Sequence, residues 1–360
     1  MVTKLEHKVY DTIIIGGGQA GLSVAYFMKR TKLDYLIIDN QSKPGGAWLH
    51  TWDSLRLFSP STYSSLSGWQ MPPSQGEYPT KKELLSYLSE YEKRYDFPIT
   101  RDTNVVQVSK QKDIFELETN NGKYFCKTLV SATGNALSPF VPKYPKSDCF
   151  KGRQIHSVDY RNPNDLHNKK VLIVGAGNSG AQILAEVSKV STTKWITTES
   201  PIFLPEYIDG RYLFIQANDS YFKKETEEYR EKISLSNIVQ IESVKEGLKN
   251  GVYNDYRPFK EFYEHGVIWS DNSKESFDVV IWCTGFRPNL KHLQKLDITQ
   301  DNKIQTQNTH STSERGLWLV GYGNWTGFAS ATIYGVGKTA KQTVKEITSY
   351  FNKNSTQQDI

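Results

Sequence analysis

Two glycine fingerprints, each set between an apolar strand and a helix, predict an α/β fold built from two Rossmann-like dinucleotide-binding domains. The first is Gly16-Gly17-Gly18-Gln19-Ala20-Gly21 and the second Gly175-Ala176-Gly177-Asn178-Ser179-Gly180. They begin 159 residues apart, which marks a duplicated architecture rather than a short-period repeat. A polar stretch, Arg161-Asn162-Pro163-Asn164-Asp165, parts the halves. The predicted layout is a discontinuous first domain, residues 1–161 and 287–360, with a second, 162–286, inserted into it. A chain of 360 residues suits two or three domains.

The first half opens with the β-branched run Tyr10-Asp11-Thr12-Ile13-Ile14-Ile15, which enters the first fingerprint directly. A helix follows to Arg30, with Leu22, Ala25, Tyr26 and Met28 apolar, then a buried-type strand, Tyr35-Leu36-Ile37-Ile38-Asp39. Residues 44–79 are rich in Gly, Pro and Ser but carry Trp48, Trp52, Phe58 and Trp69, so they read as ordered loops. Thr80-Lys81-Lys82-Glu83 matches a capping box and starts a helix through Leu84, Leu85, Leu88 and Tyr91. Asn120-Asn121-Gly122 turns a hairpin between 113–118 and 124–126. In the second half, Lys170-Val171-Leu172-Ile173-Val174 leads into its fingerprint and helix, and Trp195-Ile196-Thr197-Thr198 follows. Residues 200–278 read as irregular, with a charged helix at 223–232. A strand at 316–320 and a helix at 331–350 close the fold, and the polar tail 352–360 frays.

Composition narrows the chemistry. The net charge is +5, with 44 basic and 39 acidic residues interspersed, which is a solvated surface rather than a nucleic-acid stripe. No apolar run nears the ~18 residues of a membrane span. No secretory signal is visible at the start of the chain. Cys126, Cys149 and Cys283 are sparse and form no C-x-x-C. That argues against a disulfide framework, a zinc site and a dithiol reductase, and suits a reducing cytoplasm.

In G-x-G-x-x-G the first glycine makes the tight turn, the second admits a pyrophosphate to the backbone, and the third packs helix on strand. Gly16, Gly18 and Gly21 fit these roles, and Asp39, eighteen residues on, can take the ribose hydroxyls. Gly175, Gly177 and Gly180 fit them again. There the equivalent position is Thr198, followed by Glu199, which could hold a ribose and would repel a 2′-phosphate. No arginine adjoins it in sequence, which favours NADH over NADPH. Two dinucleotide sites in one chain suggest electrons passing from a nicotinamide to a flavin. Gly45-Gly46-Ala47-Trp48 suits backbone approach to that flavin, and Ser131-Ala132-Thr133-Gly134 and Trp282-Cys283-Thr284-Gly285 end the two sheets beside the cofactors.

With these motifs the chain resembles the bacterial flavin-containing monooxygenases of class B, above all the short group encoded near metal- or arsenic-resistance genes. The segment Phe150-Lys151-Gly152-Arg153-Gln154-Ile155-His156-Ser157-Val158-Asp159-Tyr160 fits the family signature F-x-G-x-x-x-H-x-x-x-[YF]. Tyr160 stands where the Baeyer–Villiger branch has Trp, which leans the resemblance toward heteroatom oxidation. Residues 55–60 and 321–327 also look like the short group.

The resemblance implies that Gly16, Gly18, Gln19, Ala20, Gly21 and Asp39 hold the ADP part of FAD. It puts Gly46 and Trp48 near the pyrophosphate and flavin, and Leu57 and Ser64 at either end of a segment bordering the ring. Val106 would meet the adenine, Thr133 and Gly134 line the site, and Asn324 and Thr326 close over it. Gly175, Gly177, Asn178, Ser179, Gly180, Thr198 and Glu199 would belong to NADH or NADPH. His156 would position the two domains, and Arg56 and Asn324 are candidate polar contacts to the flavin. No catalytic side chain and no metal ligand is assigned. The implied activity is oxygenation of sulfides, amines or ketones with O2 and NAD(P)H, through a C4a-(hydro)peroxyflavin, in a homodimer without nucleic-acid or membrane partners. Larger relatives carry an Asn near the flavin where this chain reads Phe58-Ser59-Pro60. That keeps two alternatives open: an NAD(P)H oxidase or electron-transfer reductase, and a non-catalytic flavoprotein.

Overall fold

The computed structural model describes residues 8–212, 237–327 and 329–358. The charged helix expected at 223–232 lies outside them. The first half contains β1 (Val9–Ile15), α1 (Gln19–Met28), β2 (Tyr35–Ile38), α2 (Lys81–Tyr95), β3 (Ile99–Thr100), β4 (Val105–Gln111), β5 (Ile114–Thr119) and β6 (Gly122–Ser131). Parallel strands β3, β2, β1 and β6 form the centre of its sheet. The β4–β5 hairpin pairs with the first part of β6. Ile13, Ile14 and Ile15 are buried, which is why β1 ends in an unbroken apolar run: a central parallel strand is covered on both faces. Thr12 meets Thr128 through their hydroxyls at 2.9 Å, and Thr128 also donates to the Asp11 carbonyl.

The second sheet is parallel throughout, in the order β10 (Asp255–Tyr256), β9 (Thr192–Ile196), β8 (Lys170–Val174), β14 (Val279–Trp282) and β7 (Arg153–His156). α3 (Asn178–Val187) packs on it, and α4 (Glu242–Lys249) packs on α3. The stretch expected to be irregular also holds a three-stranded antiparallel sheet, β11 (Glu261–Tyr263), β12 (Gly266–Ile268) and β13 (Lys274–Ser276). β7 precedes the 161/162 boundary expected from sequence yet pairs with β14, Ile155 opposite Ile281. Phe150 joins the same aromatic core as Phe262 and Trp282. By its strand and core packing, the chain has therefore already crossed to the second half there.

After β14 the chain returns. Two hairpins, β15 (Thr299–Gln300) with β16 (Lys303–Ile304) and β17 (Thr306–Gln307) with β18 (His310–Ser311), precede β19 (Leu317–Leu319), which pairs in parallel with β6. α5 (Val336–Gln358) then packs on α1. It starts later than the expected 331 and continues through most of the tail expected to fray. The outgoing and returning segments are zipped together. Phe140 N–H donates to the Gly285 carbonyl at 2.9 Å, Arg287 N–H to Ser138 at 2.8 Å and Asn289 N–H to Gly134 at 3.0 Å.

Candidate dinucleotide site

Both fingerprints fold into the same turn. Gly16 has φ +106°, and an added Cβ would stand 2.6 Å from the Ala132 carbonyl oxygen. Gly175 has φ +128°, with the Cys283 oxygen 2.2 Å from such a Cβ. The third glycines, Gly21 and Gly180, lie under these turns, their virtual Cβ atoms 1.8 and 2.2 Å from the Gly16 and Gly175 carbonyls. Gly18 and Gly177 cap α1 and α3 in extended conformations, with no side-chain cap and no acid in either first turn. The first N–H groups of each helix are thus left for an anion. At Gly46, φ is +53° and a Cβ would reach the Gly18 Cα at 2.7 Å, so the Gly46 loop rests backbone against backbone on the turn.

A cavity of about 610 Å³ runs from this turn, within the usual range of small-molecule sites. Gly16, Gly18, Gln19, Ala20 and Asp39 line it on one side. Gly46, Trp48, Leu57, Val106, Thr133 and Gly134 line it from the loops and the β4 and β6 ends. Asn178 and Ser179, at the start of α3, open into the same cavity. Gln19 ties its wall together: Trp48 Nε1 donates to Gln19 Oε1 at 3.0 Å, and Gln19 Nε2 donates to the Ala331 carbonyl at 3.1 Å. Val106 sits where a bulge shifts the β4–β5 register, which takes its backbone out of the ladder.

Other expected residues lie elsewhere. Gly21, Gly175, Gly177 and Gly180 shape the turns without lining the cavity. Ser64 is buried within its loop, donating to the Ser59 carbonyl at 3.0 Å. Asn324 is exposed. Thr326 is buried and holds its own turn, accepting from Tyr322 N–H and donating to the Gly323 carbonyl. In their place Gly321 and Ala331 reach the cavity. Arg56 lines it, but its guanidinium donates to the Tyr78 carbonyl at 3.1 Å.

Asp39 is 4% exposed and paired with Arg101, which also holds Glu92. Burial raises the Asp39 pKa, and Arg101 with the backbone N–H groups of Gly17, Gln41 and Asn40 offsets part of that rise. Thr133 belongs to a buried hydroxyl chain. It donates to the Asn289 carbonyl at 2.7 Å and meets Tyr322, which meets Ser131, which meets His292 Nε2 at 3.0 Å. Burial pushes His292 down to about 4, so it is neutral at pH 7. His156 Nδ1 accepts from Val158 N–H at 3.2 Å and Nε2 donates to the Gly285 carbonyl at 3.0 Å. Its ring edge meets Phe286. His156 therefore pins the returning segment to the linker.

Sequence reasoning did not single out Asn135, Gln182, Asn289 and His292 as cavity-lining residues, and no local pattern marks them. It also found no arginine near Glu199. The structure brings one: Arg257 donates to Ser200 Oγ at 2.8 Å, just past the exposed Thr198 and Glu199. Among the described residues no cluster of His, Cys, Asp and Glu could hold a metal ion, and no helix is long and apolar enough to cross a membrane.

Two fingerprint turns, with the N-terminal residues of both their helices on one cavity, define an oxidoreductase of the two-dinucleotide class. The profile of the pyridine nucleotide-disulphide oxidoreductase family matches residues 13–321, and the chain belongs to that family. An uncharacterized CzcO-like oxidoreductase of Geobacillus kaustophilus is 31% identical over 353 residues, covering 94% of this chain and 98% of the relative. A CzcO oxidoreductase of Bacillus subtilis, also uncharacterized, is 32% identical over 348 residues, covering 94% and 99%. The structure of a flavin-containing monooxygenase from Stenotrophomonas maltophilia superposes with a TM-score of 0.88 at 40% identity, covering 95% of this chain and 99% of that one. The likeness to bacterial flavin monooxygenases expected from the motifs is thus borne out, as is the α/β fold with Rossmann-type dinucleotide-binding architecture.

Proposed function

We propose that this chain is an NAD(P)H-dependent FAD monooxygenase that oxygenates soft nucleophiles, sulfides and amines before ketones. The observation that carries the reading is the convergence of α1 and α3 on one cavity, where Gly18 and Gly46 on one side and Asn178 and Ser179 on the other can hold two cofactors in contact. A bound flavin would supply hydride acceptance and oxygen activation. The chain's own residues bind and orient: the α1 N-terminus receives the pyrophosphate, Asp39 the ribose, Val106 the adenine and the α3 N-terminus the nicotinamide dinucleotide. Trp48, Leu57 and Phe58 supply apolar wall that keeps water from the reacting region. No cysteine is among the described residues lining the cavity, which supports oxygen rather than a disulfide as electron acceptor.

The reaction consumes one substrate, one NAD(P)H, one proton and one O2 and yields one oxygenated product, one NAD(P)+ and one water. A cytoplasmic homodimer acting on a small molecule fits this reading. Phe58-Ser59-Pro60, without the Asn of larger relatives, supports a second reading as an NAD(P)H oxidase. The test counts sulfoxide from an aryl methyl sulfide, and hydrogen peroxide, per NAD(P)H consumed. Product approaching one per NAD(P)H is the expected result. Peroxide at that ratio with sulfides and amines alike would leave the oxidase reading in its place.

A further inference from the structure

Sheet order sets a cation at the rim of the second fingerprint site. β10 runs parallel to β9 with Tyr256 level with Ile196, so Arg257 and Thr197 leave the sheet side by side at its carboxyl edge. In an open parallel sheet that edge is where dinucleotides sit, and the residue after the second strand meets the adenosine ribose. Arg257 is held there. Its Nη1 donates to Thr197 Oγ1 at 2.8 Å and pairs with Asp255 at 2.7 Å, and its Nη2 donates to Ser200 Oγ at 2.8 Å. A guanidinium has five N–H donors in a fixed fork, so donors remain after these bonds. The side chain is 52% exposed. Glu199, the acid at the ribose position, is exposed and has no ion pair among the described residues.

We propose that Arg257 is the specificity-determining residue of this site and takes the 2′-phosphate of a phosphorylated nicotinamide dinucleotide, with Ser200 beside it. The inference rests on the nicotinamide-dinucleotide reading of the second fingerprint. It replaces the NADH preference drawn from Glu199 alone, because Arg257 stands 58 positions beyond Glu199 and only the parallel pairing of β9 and β10 brings the two ends together. Arg–phosphate pairing is bidentate and charge-assisted, which is where a single side chain discriminates strongly.

Calorimetric titration of the flavin-loaded protein with NADP+ and with NAD+ tests this without turnover. Arg257→Gln is expected to weaken NADP+ by about tenfold or more, the size of one charged hydrogen-bonded pair, and NAD+ by less than about twofold. Arg257→Lys should fall between. Glu199→Gln, which keeps the strand ends tied, should strengthen NADP+ relative to NAD+. Equal losses for both dinucleotides, or no change in either, would overturn the proposal and reduce Arg257 to a brace between β9 and β10. Wild-type protein that binds neither dinucleotide would overturn the second-site reading and this inference with it, a result distinct from an unchanged preference.

Discussion

Glycines with the same place in a motif do different physical work. Gly16 has a positive φ and a backbone oxygen in the way of any side chain. Gly16→Ala is expected to cost the flavin-free fold about 1–3 kcal/mol, read as a lower midpoint in denaturant. Gly177 has ordinary φ and open space around its Cβ position. Gly177→Ala should keep that midpoint and weaken nicotinamide dinucleotide binding, measured by the same titration used for Arg257. Buried histidines make one contribution to the pH dependence. His292 in the fold resists protonation until about 4, whereas the unfolded chain takes the proton near ~6.5. The unfolded state therefore binds more protons between those values, and stability is lost as pH falls through that window. His50, His156 and His310, also lowered by burial, act in the same direction. Thermal midpoints at pH 7.5 and 5 should differ more for the wild type than for His292→Gln. The placement of Asp39, Gly16 and Gly18 on one cavity was readable because it is local to one turn and the strand beside it. Arg257 and His292 depend on partners far along the chain, Thr197 and Ser200 for the one and Ser131 for the other, which no window of sequence contains.

At the level of elements, α2 was the most legible. Thr80 Oγ1 accepts from Glu83 N–H at 3.2 Å and Glu83 Oε2 accepts from Thr80 N–H at 2.7 Å, the reciprocal bonds the four-residue pattern announces. Thr80→Ala should destabilise by about 1 kcal/mol, seen as a shift in denaturant midpoint at unchanged slope. β7 and the β11–β13 sheet were not legible. They are only three or four residues long, too short for an alternation to register, and β7 finds its partner at Val279–Trp282, more than a hundred residues away. α5 exceeds its expected end because helical backbone needs little apolar content once one face is docked.

For the whole molecule, duplication was plain in the paired fingerprints, but their convergence was not, since it depends on how the two halves meet. Two cofactors held in one cavity, as proposed, would be mutually dependent. Stripping the flavin is expected to lower the thermal midpoint, as loss of any ligand bound only by the folded state does, and to weaken nicotinamide dinucleotide binding; calorimetry on stripped and reloaded protein checks both. The zipper between 134–140 and 284–289 has a further consequence. Where Phe140 meets Gly285 the chain departs and comes back within a single hydrogen bond. To the first sheet, the whole intervening half is therefore topologically no more than a tight loop, and closing such a loop costs little more entropy as it lengthens. A short turn joining residues 140 and 285 would therefore keep the connectivity of the first sheet, while removing the second half's share of a core that both halves build.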